Sequence, residues 1–273
     1  MPELPEVEVT KKSLEDCLKG RSITSIDIRE KRLRWNLNQT DLNNIIGQKI
    51  QTLTRRGKYI LINTEPGSAL LHLGMSGSIS ILENDQPLKK HDHFDLIIDS
   101  NRIIRFNDPR RFGSFIWAGK RPEKHKLLSK LGPEPLENKF LGSHLYSLSK
   151  NRKTSIKAFI MNAQVVVGVG NIYASEVLFT SGIHPKRKAN RISKDRYMQL
   201  ASVIQETLKR AIAKGGTTLR DFSYSHGGKK IGYFQQELFT YGREGSKCKN
   251  CSKPIKQIML SGRSSFYCSG CQH

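Results

Sequence analysis

Four cysteines near the end of the chain limit its fold more than any other feature. Cys248-x2-Cys251-x16-Cys268-x2-Cys271 has the pair spacing and the separation of a four-thiolate zinc site. Each pair brings two thiolates to one tetrahedral ion, and a filled shell leaves no position for a substrate. One structural zinc ion per chain is therefore expected. Between the pairs, Pro254–Leu260 and Ser264–Tyr267 read as strands joined around Ser261-Gly262-Arg263. That makes a β-hairpin clamped at its base, with Arg263 at the tip as either a solvated turn residue or a phosphate contact. Cys17 lies on a predicted helix and reads as a small buried apolar residue. Thiolates reserved for a metal fit a reducing compartment.

At 273 residues the chain exceeds the usual single domain. The opening segment from Pro5 to about Lys19 reads as a helix closed by Gly20. Short alternating or apolar runs follow: Ser22–Arg29, Lys49–Thr54, Tyr59–Thr64, Ala69–Leu73, Ser76–Leu82, Phe94–Ile98, Arg102–Phe106 and Phe112–Trp117. Strands at this spacing predict a β-sandwich or barrel-like sheet pair. Prolines and charges gather over 119–150, which places an interdomain linker at 135–150 after a first domain of 2–134. Beyond it the period turns helical. Thr154 or Ser155 caps a short helix through about Met161, and Asn171 opens another to about Thr180. Ser193 starts a longer one with Tyr197, Leu200, Ile204, Leu208 and Ala211 on one face, closed by Gly215-Gly216. These helices and the weakly patterned 217–238 loop make a domain of 151–238, and the zinc finger occupies 239–273.

Charge narrows the partners. Forty-six Lys+Arg against 24 Asp+Glu leave a formal +22, an excess that points to a polyanion, most often nucleic acid. No basic amphipathic helix stands out, and no apolar run approaches the ~20 residues of a membrane span. Glu3, Glu6 and Glu8 occupy the place where a secretory h-region would begin, so an intracellular protein is expected.

The first eight residues, Met1-Pro2-Glu3-Leu4-Pro5-Glu6-Val7-Glu8, hold the sharpest chemistry. Removal of Met1 would leave Pro2 as a free secondary amine. An α-amine titrates near ~7.7–8.0, so part of it is neutral and nucleophilic at neutral pH, able to form Schiff bases with carbonyl carbons. Glu3 beside it is a carboxyl able to move protons. The competing reading is that the glutamates cap a helix while Pro2 frays.

Elsewhere, Gly168-Val169-Gly170-Asn171 before a helix suits either a phosphate or a tight packing turn. Arg55-Arg56-Gly57-Lys58 is either a cationic site or a solvated strand edge. Met75 and Phe112, beside Arg110, read as core residues or as wedges that unstack bases. His91-Asp92-His93 lacks a third metal ligand and reads as a hydrogen-bonded strand start.

Taken together, these stretches resemble the bacterial formamidopyrimidine-DNA glycosylases. The resemblance runs nearly end to end through the opening octapeptide, Arg56-Gly57-Lys58-Tyr59, His72-Leu73-Gly74-Met75-Ser76-Gly77, Lys90-His91-Asp92-His93, Asp108-Pro109-Arg110-Arg111-Phe112-Gly113, Val167 to Glu176, Tyr241-Gly242-Arg243 and the cysteines. It departs at Val9-Thr10, where the family more often has Thr directly after the glutamate. It implies an α+β multidomain fold: an N-terminal β-sandwich with a leading helix, then a helix–two-turn–helix region and a zinc β-hairpin finger. Damaged double-stranded DNA is the implied partner of a monomer in the bacterial cytoplasm.

The resemblance also implies roles. Pro2 attacks C1′ of the damaged nucleotide, Glu3 serves as acid and base, Lys58 assists β-elimination and Arg263 δ-elimination. Met75, Arg110 and Phe112 fill the space left by the extruded base. His91, Arg110, Arg152, Asn171 and Tyr241 contact DNA, and Glu6, Thr217, Thr218 and Tyr224 surround the lesion. Two rivals remain: an endonuclease VIII-type enzyme for oxidised pyrimidines, and a non-catalytic zinc-ribbon protein in which Pro2 has no role.

Overall fold

The computed structural model describes residues 2–216, 224–226, 229–231 and 238–273, the two three-residue stretches by backbone alone. The chain forms two compact units, one of 1–129 with 214–235 and one of 130–213 with 236–273.

The first unit opens with α1 (Leu4–Leu18), followed by β1 (Ile23–Ile28), the short α2 (Gln39–Leu42), β2 (Thr52–Arg56), β3 (Tyr59–Asn63), β4 (Ser68–His72), β5 (Ser78–Leu82), β6 (Asp92–Ile98), β7 (Ile103–Asn107) and β8 (Ser114–Gly119). Two further strands, β9 (Tyr224–His226) and β10 (Lys229–Ile231), return to it. One sheet runs β1-β6-β7-β5-β9-β10 and the other β2-β3-β4-β8. Alternation puts Ile79 and Ile81 of β5 inside while their neighbours stay partly exposed. Phe94 stacks on Phe106 of its own sheet at 4.9 Å and on Phe115 of the other at 5.4 Å. One apolar core thus joins the two sheets as a sandwich, and Val7, Leu14 and Leu18 of α1 enter it. β9 pairs with β5 in parallel. It lies in the stretch expected to be loop, because three-residue strands are too short to show a period.

The second unit contains α3 (Gly142–Ser149), α4 (Ile156–Ile160), α5 (Asn171–Thr180), α6 (Lys194–Ala213), β11 (Ile255–Leu260) and β12 (Arg263–Cys268). Ser155 caps α4, its hydroxyl accepting from Ala158 N at 3.2 Å. The buried face of α6 includes Tyr197, Leu200, Ile204, Leu208 and Ala211, all expected from the 3.6-residue period, and adds Ala201 and Thr207.

The divisions differ from those anticipated. Residues 135–150 contain α3, which packs on α6 and buries Leu145. Gly142 lets this approach happen, since an added Cβ would overlap the Met198 backbone. The boundary moves back to 129/130 because Gly132 N bonds Ala163 O (2.8 Å) and Val167 N bonds Pro133 O (3.2 Å). The finger belongs to the helical unit: Phe179 of α5 shares a core with Ile255 and Phe266.

Candidate active site and nucleic-acid interface

In the first unit, the start of α1 concentrates acidic chemistry in a buried place. Pro2, Glu3 and Glu6 are all buried, the carboxylate residues at 1% and 2% exposure. Glu6 Oε2 accepts from Glu3 N at 2.8 Å, half of a capping box, and Pro5 stands in the first turn where its missing N–H costs nothing. Gly216 closes over Glu6, leaving only 3.1 Å from the Glu6 Oε1 to a Cβ added there. The α1 macrodipole places its positive end at these residues.

Lys58 sits in the two-residue turn between β2 and β3, where Arg56 pairs with Tyr59. Gly57 supplies the left-handed φ of 58° that such a hairpin needs. The Arg55 guanidinium holds this turn to α1, donating to Glu8 Oε2 (2.7 Å) and to Gly57 O (3.0 Å). Tyr59 lies against its cross-strand partner His72, ring centroids 4.7 Å apart. Burial, then the charges of Arg34 and Lys58, push His72 down to about 4. Its Nδ1 accepts from Gly74 N at 3.0 Å, which fixes the proton on Nε2.

Two adjoining loops present Met75, Arg110 and Phe112. Asp108, fully buried, organises both. Its Oδ1 accepts from Ser76 Oγ (2.6 Å) and its Oδ2 from Gly113 N (2.7 Å), while its carbonyl bonds His93 Nε2 (2.7 Å). Arg110 N donates to Ser76 Oγ at 3.2 Å. Arg110 then lies over the Phe112 ring, 5.1 Å from its centroid, with both side chains exposed. Met75 is half-buried, next in sequence to Ser76. His91 is partly exposed, and the His91-Asp92-His93 stretch forms no metal cluster among the described residues.

In the second unit, two polar residues meet at one carbonyl. Lys157 Nζ donates to Ser264 O (3.0 Å) and Ser265 Oγ (2.8 Å), and Asn171 Nδ2 donates to the same Ser264 O (3.0 Å). Asn171 Oδ1 is buried and has no partner among the described residues. Ser264 follows Arg263, which is exposed at the first position of β12 after the Ser261-Gly262 turn. A cavity of about 190 Å³ opens there, lined by Lys157, Met161, Leu260 and Arg263. Arg152 is exposed ahead of α4, and Tyr241 is half-buried at the entry to the finger. Cys248, Cys251, Cys268 and Cys271 place their sulfurs within 4.8 Å of one another, with pairs at 3.8 and 3.4 Å. A zinc tetrahedron with bonds of ~2.3 Å has edges of ~3.8 Å, so the cluster fits one zinc ion.

Comparison with known proteins identifies this arrangement. Residues 1–115 match the family model of the formamidopyrimidine-DNA glycosylase N-terminal domain, and residues 131–223 that of its H2TH domain. The chain belongs to the formamidopyrimidine-DNA glycosylase family. Formamidopyrimidine-DNA glycosylases of Nitrosococcus oceani and Stenotrophomonas maltophilia are each 49% identical to it, with all of both chains covered. A solved Lactococcus lactis Fpg in complex with abasic-site DNA superposes with a TM-score of 0.91 at 32% identity over 99% of each chain. A MutM structure bound to DNA containing carbocyclic 8-oxoguanine gives 0.89 at 31% identity over 100% of each chain. The sandwich, the helical region and the cysteine hairpin expected of this family are all present.

Within that frame, Pro2, Glu3, Glu6, Lys58, Met75, His91, Arg110 and Phe112 fall in the first unit, and Arg152, Asn171, Tyr241, Arg263 and the cysteines in the second. Thr217 and Thr218 lie outside the described residues, and Tyr224 is described only as part of β9. Sequence reasoning gave no role to Asp108, Lys157 or Glu176. Lys157 and Glu176 act on main chain distant in sequence and Asp108 on the distant Ser76 hydroxyl, which no local pattern announces.

Proposed function

We propose that this chain excises oxidised purines, 8-oxoguanine and formamidopyrimidines, from duplex DNA and cleaves the abasic strand through an imine on Pro2. The observation that carries this is the burial of Pro2 together with Glu3 and Glu6, since a terminus that merely caps a helix would be solvated. The abasic-site and carbocyclic 8-oxoguanine complexes of its structural relatives support the substrate class.

Chemistry on a stacked base requires its extrusion, and Met75, Arg110 and Phe112 occupy the space it leaves. Loss of Met1 frees the Pro2 nitrogen. Its lone pair bonds to C1′ as the bond from C1′ to the base breaks and the base departs with a proton. Glu3 gives a proton to O4′ as the sugar ring opens, leaving an iminium. The iminium acidifies the C2′ protons; removal of one expels the 3′ phosphate. A second proton loss, at C4′, expels the 5′ phosphate. Water then hydrolyses the imine and restores proline, with phosphate at both ends of a one-nucleotide gap. Lys58 positions lesion and phosphate during the first elimination, and Arg263 assists the second. Glu6, with Thr217, Thr218 and Tyr224, surrounds the lesion; His91, Arg152, Asn171 and Tyr241 hold the DNA. Zinc, when bound, supplies folding energy to the finger. A monomer acting on the nucleoid in the cytoplasm fits this partner.

Borohydride trapping on a duplex with one 8-oxoguanine opposite cytosine is the test. A covalent adduct mapping to Pro2, with β,δ-cleaved strand, is expected, and Pro2→Gly should abolish cleavage while sparing binding. Trapping only with oxidised pyrimidines would move the chain to the endonuclease VIII type. Tight binding with no adduct on any damaged base would make it a binding module.

A further inference from the structure

Glu176 projects from α5 into the interior of the second unit, 5% exposed. Its Oε2 accepts from Phe239 N at 2.7 Å, and its Oε1 from Thr240 N (2.9 Å), Tyr241 N (2.9 Å) and Thr240 Oγ1 (3.0 Å). One carboxylate thus gathers three consecutive amides and a hydroxyl. Charge-assisted bonds to backbone amides are about twice as strong as neutral ones. The segment so held is where the chain enters the finger. Phe239 stacks on Phe179 at 5.6 Å, the Tyr241 ring meets Phe266 edge-on at 5.1 Å, and Arg243 donates back to Phe239 O at 2.8 Å. The Tyr241 ring is therefore fixed at its base and its flank. Its hydroxyl has no hydrogen-bond partner among the described residues, which leaves it available to a ligand oxygen. The same helix carries Asn171 at its first position, with an unpartnered buried Oδ1 five residues before Glu176.

We propose that Glu176 is a positioning residue for DNA binding: by holding the amides of 239–241 to α5, it aims the Tyr241 hydroxyl at a phosphodiester oxygen of the lesion strand. This rests on the reading of Tyr241 as a DNA contact. An amide in place of the carboxylate keeps the shape but weakens every bond and turns an N–H toward other N–H donors. Glu176→Gln should then loosen the aim of Tyr241 without removing a phosphate contact of its own.

The experiment is a cycle of equilibrium dissociation constants on a duplex with a tetrahydrofuran abasic analogue, at one salt concentration. The proteins are the full zinc-loaded chain, Glu176→Gln, Tyr241→Phe and the double variant, each checked for zinc content and thermal midpoint. Tyr241→Phe removes only the hydroxyl and should weaken binding about tenfold. Glu176→Gln should cost a similar factor alone and less than about twofold in the Tyr241→Phe background. Glu176→Asp keeps the charge with a shorter reach; it should give an intermediate loss with the same dependence on Tyr241, and it carries the test should the Gln variant fail to fold. Equal losses in both backgrounds, or no loss, would overturn the positioning role while leaving Tyr241 a contact. Unchanged binding by Tyr241→Phe would instead overturn the contact itself, and the positioning role with it.

Discussion

His72 is held neutral by its surroundings. Its Nδ1 accepts from Gly74 N, so protonation there breaks a bond as well as placing a charge near Arg34 and Lys58. The folded value of about 4 lies below the ordinary 6.5. For a histidine depressed in this way, the stabilisation is complete above the unfolded value and is lost as pH falls from 6.5 through about 4. The amount is at most about 3 kcal/mol, less for the part of the ring that water reaches. His72→Gln keeps an acceptor for Gly74 without the titration, so its urea stability should fall less steeply over this window than that of the parent. Identical pH profiles would mean that His72 does not titrate in the unfolding equilibrium. Among single residues, the cysteines were legible in the sequence as metal ligands, because their spacing carries the chemistry. Lys157 and Glu176 were not, because a buried charge that binds distant backbone looks in sequence like any solvated charge.

Elements were legible where a period or a spacing repeats. The α6 face, the alternating strands and the Cys-x2-Cys hairpin all satisfy that condition. α3 does not: eight residues with Gly142 at the start and no side-chain cap give a weak signal, and tertiary packing on α6 decides it. β2 begins at Thr52 rather than Lys49 because the Gly57-Lys58 turn, not the apolar run, sets its register. The loop that carries Met75 depends on a close approach that only glycine permits. Gly77 N bonds Leu73 O at 2.9 Å, and a Cβ on Gly77 would overlap that carbonyl and come within 3.0 Å of Phe106 Cζ. Gly77→Ala should cost roughly 1–3 kcal/mol in chemical denaturation, the range for overpacking, and should lower abasic-duplex affinity as the Met75 and Arg110 loops part. An unchanged denaturation midpoint would show that the loop relaxes freely. The finger makes the opposite kind of element, one held by a ligand. Chelation of zinc should unfold 248–271 and abolish tight duplex binding while the thermal transition of the first unit persists. Full activity in metal-free protein would reject a structural zinc.

For the whole molecule, composition gave the class of partner but not the count of contacts. Several cations are engaged within the fold: Arg105 and Arg29 both pair with Asp95, at 2.8 and 2.7 Å, and Arg55 with Glu8 at 2.7 Å. The 46 Lys+Arg therefore overstate the cations open to phosphate contacts. Nor could composition show that β9 and β10 return to the first unit, since that is decided by pairing along β5. Salt dependence separates contact charges from bystanders. Each phosphate neutralised contributes about 0.9 to the slope of log affinity against log salt. Arg263, exposed beside the hairpin turn, should contribute one such unit: Arg263→Ala should weaken abasic-duplex binding and make the slope shallower by about one. Lys19 is the control. It caps the far end of the 15-residue α1, about 24 Å from Glu3 at 1.5 Å per residue, so Lys19→Ala should leave the slope as it was. An Arg263→Ala slope equal to the parent's would remove the hairpin turn from the DNA interface. A shallower slope for Lys19→Ala would mean that general charge, and not a defined set of phosphate contacts, holds the duplex.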